Sequence, residues 1–313
     1  MNKPILYVMM GLPASGKSTF ADEIATSQNA TIISSDAIRK EWYGDENIQG
    51  NPAKIFEEMR KRTVSVLENG RSVIYDATNL TLKSRSFLRN YSPLLKIRNK
   101  IKINGVLCVA PFDVCCERNS KRERVVPMEA MNRMLKSFTP PMFSEGFDFI
   151  FLYKSYEGEV PRVWLRLINM PHDNPHHLET IEEHLRWCTK AIEEAGREDI
   201  SSLGFYHDIG KVYCKEIGED GVAHFYNHEC VSSYITVCDL LYSRSYDKLT
   251  FSDRDKITNE ILYNEILYMA SLVRWHMELY HGDFSDKQKL LFGERMMADL
   301  RFFNEIDRRC RRV

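Results

Sequence analysis

The sequence predicts a parallel α/β half over residues 1–156 and an all-α half over residues 157–313. Three observations carry this division. Short apolar runs alternate with amphipathic segments to about residue 152, and the alternation is lost from about Pro161. All nine histidines lie after residue 171, so the halves differ in chemistry as well as in pattern. At 313 residues the chain is also long for one core, since about 150 residues per domain is usual.

In order, Ile5 to Met10 reads as a strand, Lys17 to Ala25 as a helix and Thr31 to Ser34 as a strand. Pro52 to Glu68 reads as a helix because Asn51 can cap its start and Gly70 follows its end. Ser72 to Tyr75 and Val106 to Val109 read as strands, Val114 to Lys121 and Met128 to Lys136 as helices, and Phe147 to Leu152 as the last strand. Such alternation implies a parallel sheet covered on both faces. A polar link, Tyr156-Glu157-Gly158-Glu159, marks the boundary. Helices are expected at Leu178 to Ala195, Ile200 to Asp208, His228 to Leu241, Asp253 to His276 and Ser285 to Arg309.

A hydrophobic fraction of 43% with 28% charged residues is ordinary for a globular protein, and no apolar run approaches the roughly 20 residues that span a bilayer. The N-terminal apolar stretch is six residues and leads into a Gly-rich loop rather than a cleavage site, so a cytoplasmic protein without a membrane partner is expected. Eight scattered cysteines with no C-x-x-C pair read as reduced, buried thiols. A net charge of −1 decides nothing about nucleic acid. Thr81 to Phe112, however, carries Lys83, Arg85, Arg89, Lys96, Arg98, Lys100 and Lys102 with no acidic residue. That stretch could face a polyanion or be a solvated surface.

The strongest motif is Gly11-Leu12-Pro13-Ala14-Ser15-Gly16-Lys17-Ser18, followed by Thr19, between a predicted strand and a predicted helix. It fits G-x-x-x-x-G-K-[ST]: glycines let backbone amides curl around phosphates, Lys17 reaches the β- and γ-phosphates, and Ser18 can ligate Mg²⁺. ATP and Mg²⁺ are therefore the expected ligands, on Gly11, Ala14, Ser15, Gly16, Lys17, Ser18 and Thr19. Asp36 and Arg39 follow the second strand; a carboxylate there can take a proton from an attacking hydroxyl, or cap a helix. The third strand ends in Asp76-Ala77-Thr78-Asn79-Leu80, at the carboxyl edge where open α/β sheets bind ligands. Arg118 and Arg122, four apart on a predicted helix, would share one face toward a triphosphate.

These residues resemble the kinase domain of the phage-type polynucleotide kinase-phosphatase family over roughly residues 4–138. The likeness runs through the P-loop, Asp36-x-x-Arg39, Thr78-Asn79-Leu80, Arg118-Asn119-Ser120-Lys121-Arg122 and Val126-Pro127. It implies Asp36 as general base on a 5′-hydroxyl, Arg39 on the acceptor and Arg122 on the donor phosphates. The family's Ser-Asp-Thr-Asn stands here as Asp76-Ala77-Thr78-Asn79, with the acidic residue one place earlier. The Asp-Ala-Thr-Asn spelling looks like the wider group of small P-loop kinases, which leaves a small-molecule acceptor open.

In the second half, Phe205-Tyr206-His207-Asp208-Ile209-Gly210-Lys211 puts a His and an Asp side by side, where both can reach one metal. With His184 before it, His228 in Asn227-His228-Glu229 and His276 in Arg274-Trp275-His276, the order resembles the HD superfamily of metal-dependent phosphohydrolases over roughly residues 170–313. The resemblance implies His184, His207 and Asp208 as ligands of a first metal, completed by Asp307 in preference to Asp299. His228 and His276 would support a second, with Asp208 bridging and Lys211 on phosphate. His172, His176, His177, His224 and His281 are expected to be supporting or surface residues. Mixed N/O ligation favours Mn²⁺, Fe, Co²⁺ or Ni²⁺.

Together the two likenesses imply an end-healing enzyme. It would phosphorylate 5′-hydroxyl ends of RNA or DNA and hydrolyse 3′-phosphate or 2′,3′-cyclic phosphate ends, leaving both ready for a ligase. Two alternatives are a nucleoside or nucleotide kinase with an attached nucleotidase, and a kinase whose helical half is an idle binding module.

Overall fold

The computed structural model describes residues 3–175, 178–243 and 256–311, with side chains in the last stretch from Tyr263 onward. His176, His177 and the first three residues of the helix expected from Asp253 fall outside the described residues. The chain forms two compact units, Met1–Met131 with Pro141–Glu157, and Asn132–Pro140 with Gly158–Val313.

The first unit begins with β1 (Ile5–Met10), α1 (Lys17–Gln28), β2 (Thr31–Ser34), α2 (Ser35–Tyr43), α3 (Pro52–Glu68) and β3 (Val73–Asp76). Three short helices, α4 (Leu82–Arg85), α5 (Phe87–Asn90) and α6 (Ser92–Ile97), lead to β4 (Lys102–Val109), α7 (Phe112–Ser120) and β5 (Phe149–Lys154), with α8 (Met128–Leu135) passing from the first unit into the second at Asn132. The five strands form a parallel sheet in the order β2-β3-β1-β4-β5. Its central strand is almost wholly buried, as a strand covered on both faces must be. The capping logic of the sequence is visible in α3, where Asn51 accepts the Lys54 amide and Gly70 takes φ 74° past the end.

Two expectations need correction. Helix α2 starts on Ser34, whose hydroxyl accepts the Asp36 amide, so Asp36 is not the cap and its carboxylate is released for other work. Helix α7 ends at Ser120, so Arg118 and Arg122 do not share a helical face; Arg122 lies in the turn beyond. That turn is clamped by buried Asn119, which donates to the Val126 carbonyl and accepts the Val126 amide.

The basic stretch also proves to be partly structural. Arg85 is 1% exposed and makes a two-pronged ion pair with Glu145, itself 1% exposed, with both N–O distances 2.8 Å. A third donor of Arg85 reaches the Asn79 carbonyl at 2.9 Å, and Asn79 in turn donates to the Met9 carbonyl at 2.8 Å. This chain of bonds ties α4 to the end of β3 and to β1, just ahead of the Gly-rich loop.

The second unit is helical: α9 (Ile181–Glu194), α10 (Ser202–Tyr206), α11 (Lys211–Cys214), α12 (His228–Ser243), α13 (Lys256–Trp275) and α14 (Asp286–Arg309). It departs from the all-α expectation at one small antiparallel pair, β6 (Glu216–Ile217) with β7 (Ala223–His224). Helix α14 is interrupted at Gly293, whose φ 70° and ψ 172° only glycine takes easily. Within this unit Phe138 packs edge-on against Tyr234, with ring centres 5.1 Å apart, and Lys136 bonds Glu216. No helix among the described residues is long and apolar enough to cross a membrane.

Removing one partner of a buried ion pair strands the other's charge, a cost of about 3–5 kcal/mol. Glu145→Ala is therefore expected to lower the urea midpoint of the first unit sharply. The paired change Arg85→Met with Glu145→Leu should recover much of the loss. Unfolding curves that leave Glu145→Ala unchanged would show that the bond network does not support the loop.

Candidate functional site

The Gly-rich loop is built for an anion. Gly11 (φ 145°) and Gly16 (φ 84°) hold conformations that L side chains avoid, and a Cβ on Gly11 would stand 2.7 Å from the Cys108 carbonyl. The Gly11 amide donates to the Thr78 carbonyl at 3.0 Å, so the loop is pinned to the end of β3. Helix α1 starts at Gly16 with no side-chain cap and no acidic residue in its first turn, leaving its first amides to an incoming phosphate. The Ser15 hydroxyl is buried without a hydrogen-bond partner among the described residues, a polar atom that a phosphate oxygen would satisfy. Ser18 and Thr19 are exposed at the start of α1.

Lys17 donates to the Leu12 carbonyl at 2.6 Å. Burial lowers its pKa, partly opposed by Cys108 and Asp76, while Arg122 nearby lowers it further. Asp76 has its pKa raised, chiefly by burial, and it feels the charges of both Lys17 and Asp36. Lys17, Asp76 and Asp36 thus share one electrostatic neighbourhood at the carboxyl edge of the sheet, despite the one-residue shift of the acidic position.

Asp36, its side chain 46% exposed, is gripped on both oxygens. Arg39 reaches Oδ1 at 2.7 Å, and Arg124 reaches Oδ2 at 2.9 Å from the clamped turn after α7. Arg39 is buried and its Nε has no hydrogen-bond partner among the described residues, so a donor remains for a further anion. Sequence reasoning missed Arg124; the signal was its place two residues past Arg122. Of the two arginines expected over the phosphates, Arg122 is close enough to act on Lys17. Arg118 instead donates to the Ser155 carbonyl at 2.7 Å and lies over the Tyr156 ring.

In the second unit the predicted ligands converge. His184 Nε2 lies 3.1 Å from His207 Nε2 and 3.0 Å from Asp307 Oδ1; His207 Nε2 lies 3.4 Å from Asp208 Oδ2. His228 Nε2 stands 2.9 Å from the other Asp208 oxygen, and His276 Nε2 3.8 Å from it. Asp208 thus lies between two groups, one with His184, His207 and Asp307, the other with His228 and His276. Asp299 points elsewhere, to Arg197 and Tyr268. The elements explain the convergence. His207 sits at the end of α10, His228 opens α12, His276 follows α13, and Asp307 lies in the last turn of α14.

Orientation is the test of whether these residues fit a metal. Nδ1 of His207, His228 and His276 bonds the carbonyls of Gly204, Phe225 and Val273 at 2.9, 2.8 and 2.7 Å. A carbonyl only accepts, so each Nδ1 carries a hydrogen and each Nε2 is the nitrogen turned inward, the arrangement that orients metal-binding imidazoles. His276 is pushed down to about 3, first by burial and then by His207 and His228, and is thus neutral. Its Nε2 is buried with no hydrogen bond among the described residues, and Asp307 Oδ1 faces His184 Nε2 across 3.0 Å. These are groups that a cation would satisfy.

The carboxylates are held ionised. Burial opposes the charge on Asp208, but Lys211, His207 and His228 hold its pKa well below the ordinary value; His184, His207 and Arg311 do the same for Asp307. Lys211 lies buried, 2.6 Å from Asp208 Oδ2, so it steadies that carboxylate rather than standing free for phosphate. Of the remaining histidines, His172 is buried with Nδ1 on the Glu179 carbonyl, and His224 stacks on Tyr226.

Residues 6–141 match the family model described as an AAA domain. Transcription factor bHLH140 of Arabidopsis thaliana is 27% identical over 156 residues, which is 47% of this chain and 15% of that protein. L-seryl-tRNA(Sec) kinase of Methanococcus maripaludis is 29% identical over 157 residues, 46% of this chain and 56% of that protein. The chain thus spans only part of the curated relatives it matches. A solved Pnkp1/Rnl/Hen1 RNA repair complex aligns with TM-score 0.37 and 22% identity, covering 43% of each chain.

A charge-assisted hydrogen bond contributes about 1.5–3 kcal/mol, or about 10–100-fold in affinity. Lys17→Ala is expected to weaken ATP binding by that factor in calorimetric titration of the full chain. Arg118→Ala, whose guanidinium is turned to Ser155, should leave that affinity nearly unchanged.

Proposed function

We propose that the protein is an ATP-dependent kinase acting on 5′-hydroxyl ends of nucleic acid, and that its helical unit is a metal-dependent phosphohydrolase acting on phosphate ends. The observation that carries the kinase reading is the Asp36 carboxylate. It is held by two arginines beside a phosphate loop, at the sheet edge where a hydroxyl and a γ-phosphate would meet. Asp36 would take the proton as the acceptor oxygen attacks phosphorus, while Lys17, Arg122 and the loop amides hold the charge gathering on the donor oxygens. The unused donor of Arg39 suits the phosphate that follows a terminal nucleoside. Among the curated relatives, one is named as a kinase of L-seryl-tRNA, which supports a substrate that contains RNA.

For the helical unit the reading rests on His184, His207, Asp208 and Asp307 converging as an HD-type set, with His228 and His276 across Asp208. A divalent ion of the Mn²⁺, Fe, Co²⁺ or Ni²⁺ group held there would acidify a bound water and clamp the leaving oxygen. Asp208 would bridge the two groups of ligands, and Lys211 would keep it ionised and in place. A nucleic-acid ligase is the natural consumer of ends carrying a 5′-phosphate and a 3′-hydroxyl.

One oligonucleotide bearing a 5′-hydroxyl and a 3′-phosphate tests both activities, given ATP with Mg²⁺ and then Mn²⁺ or Ni²⁺. Label should pass to the 5′ end, and Asp36→Ala should lower that rate by about 10²–10⁴-fold. Asp208→Ala should abolish loss of the 3′-phosphate while kinase activity persists. Transfer to a free nucleoside but not to the oligonucleotide would move the acceptor to a small molecule. No phosphate release from wild type with any of these metals would make the helical unit a binding module.

A further inference from the structure

The expected ligand set leaves one buried nucleophile beside it unused. Cys188 lies four residues after His184 on α9, so both side chains leave the same helical face one turn apart. Its Sγ stands 3.8 Å from His184 Nε2, and the thiol is fully buried. The ligand atoms of His184, Cys188, His207 and Asp307 all lie within 4.8 Å of one another.

The separations among these atoms are those of ligands sharing one coordination shell. With metal–sulfur and metal–nitrogen bonds of about 2.3 and 2.05 Å, tetrahedral angles put S and N about 3.6 Å apart and two nitrogens about 3.3 Å apart. The edges here are 3.8 Å for Cys188–His184, 3.1 Å for His184–His207, 3.0 Å for His184–Asp307 and 3.8 Å for His207–Asp307. The second observation is Asp307, whose buried Oδ1 is aimed into this cluster, 3.0 Å from His184 Nε2 and 3.8 Å from His207 Nε2.

We propose that Cys188 is a thiolate ligand of the ion held by His184, His207, Asp208 and Asp307. This rests on the metal reading of the helical unit and adds to it a sulfur donor. Binding replaces the S–H bond by an S–metal bond, and the thiol proton leaves to solvent. A soft ligand also narrows the choice of ion, favouring Co²⁺, Fe²⁺, Ni²⁺ or Zn²⁺ over Mn²⁺ or Mg²⁺. The competing structural role is a thiol hydrogen-bonded to Cys310, a contact this structure also contains.

Cobalt separates the two roles without any assay of activity. The full-length protein, stripped with a chelator, is titrated with Co²⁺ and followed by absorption. Visible d–d bands report an ion at the site, and a near-ultraviolet thiolate-to-cobalt charge-transfer band reports sulfur on it. Wild type is expected to show both. Cys188→Ser should lose the charge-transfer band, keep the visible bands and bind Co²⁺ about tenfold or more weakly, while Cys310→Ser keeps both bands. Visible bands in wild type without charge transfer overturn the sulfur ligand and leave the metal reading standing. So does a charge-transfer band that survives Cys188→Ser and vanishes in Cys310→Ser. If neither band develops, the metal reading fails and takes the sulfur ligand with it.

Discussion

Charge taken out of water must be compensated nearby, and both centres of this protein are arranged around that constraint. In the first unit Arg85 is buried and Lys17 partly so. Arg85 is neutralised by Glu145 and by the Asn79 carbonyl. Among the described residues Lys17 bonds only the Leu12 carbonyl. The difference separates framework from function: one cation is fully answered by the protein, the other is left for a phosphate to answer. In the second unit the buried carboxylates of Asp208 and Asp307 are answered from one side by Lys211 and Arg311. On their other side stand imidazoles, three of which turn an Nδ1 hydrogen to a backbone carbonyl.

The two centres reach preorganisation by different means. The loop at Gly11–Ser18 uses backbone: two positive-φ glycines, a pinned amide and an uncapped helix start, all local in sequence. The histidine cluster uses side chains brought from α9, α10, α12, α13 and α14, each imidazole steered by a carbonyl three residues earlier at His207, His228 and His276. The same i−3 bond recurs at all three, which is how one local device can orient rings from distant parts of the chain.

This contrast explains what could be read from the residues alone. The Gly-rich loop, the strands around it and the helix starting at Pro52 depend on neighbours in sequence, and the structure places them within a few residues of expectation. Their periodicity and caps are local signals. What escaped was decided by distant partners. Nothing near Arg85 announces that Glu145, sixty residues on, removes it from the basic surface. Nothing near Asp36 announces Arg124. The assignment of Arg122 to a helix failed for a subtler reason: four-residue spacing fits a helix, but Asn119 folds its side chain back onto Val126 and stabilises a turn instead. The order of histidines gave the ligand candidates, whereas the direction of each ring nitrogen exists only in three dimensions.

The chain's path between its two units has a practical consequence for dissecting them. Asn132–Pro140 leaves the first unit, joins the second and returns before β5 completes the sheet. Severing the polypeptide after Glu157 would not yield two self-sufficient halves. The amino-terminal fragment would carry Phe138 with no aromatic neighbour to cover it, and the carboxy-terminal fragment would keep Tyr234 facing a slot stripped of its filler. Expressing either unit in isolation calls for a graft of that nine-residue excursion, not a simple truncation.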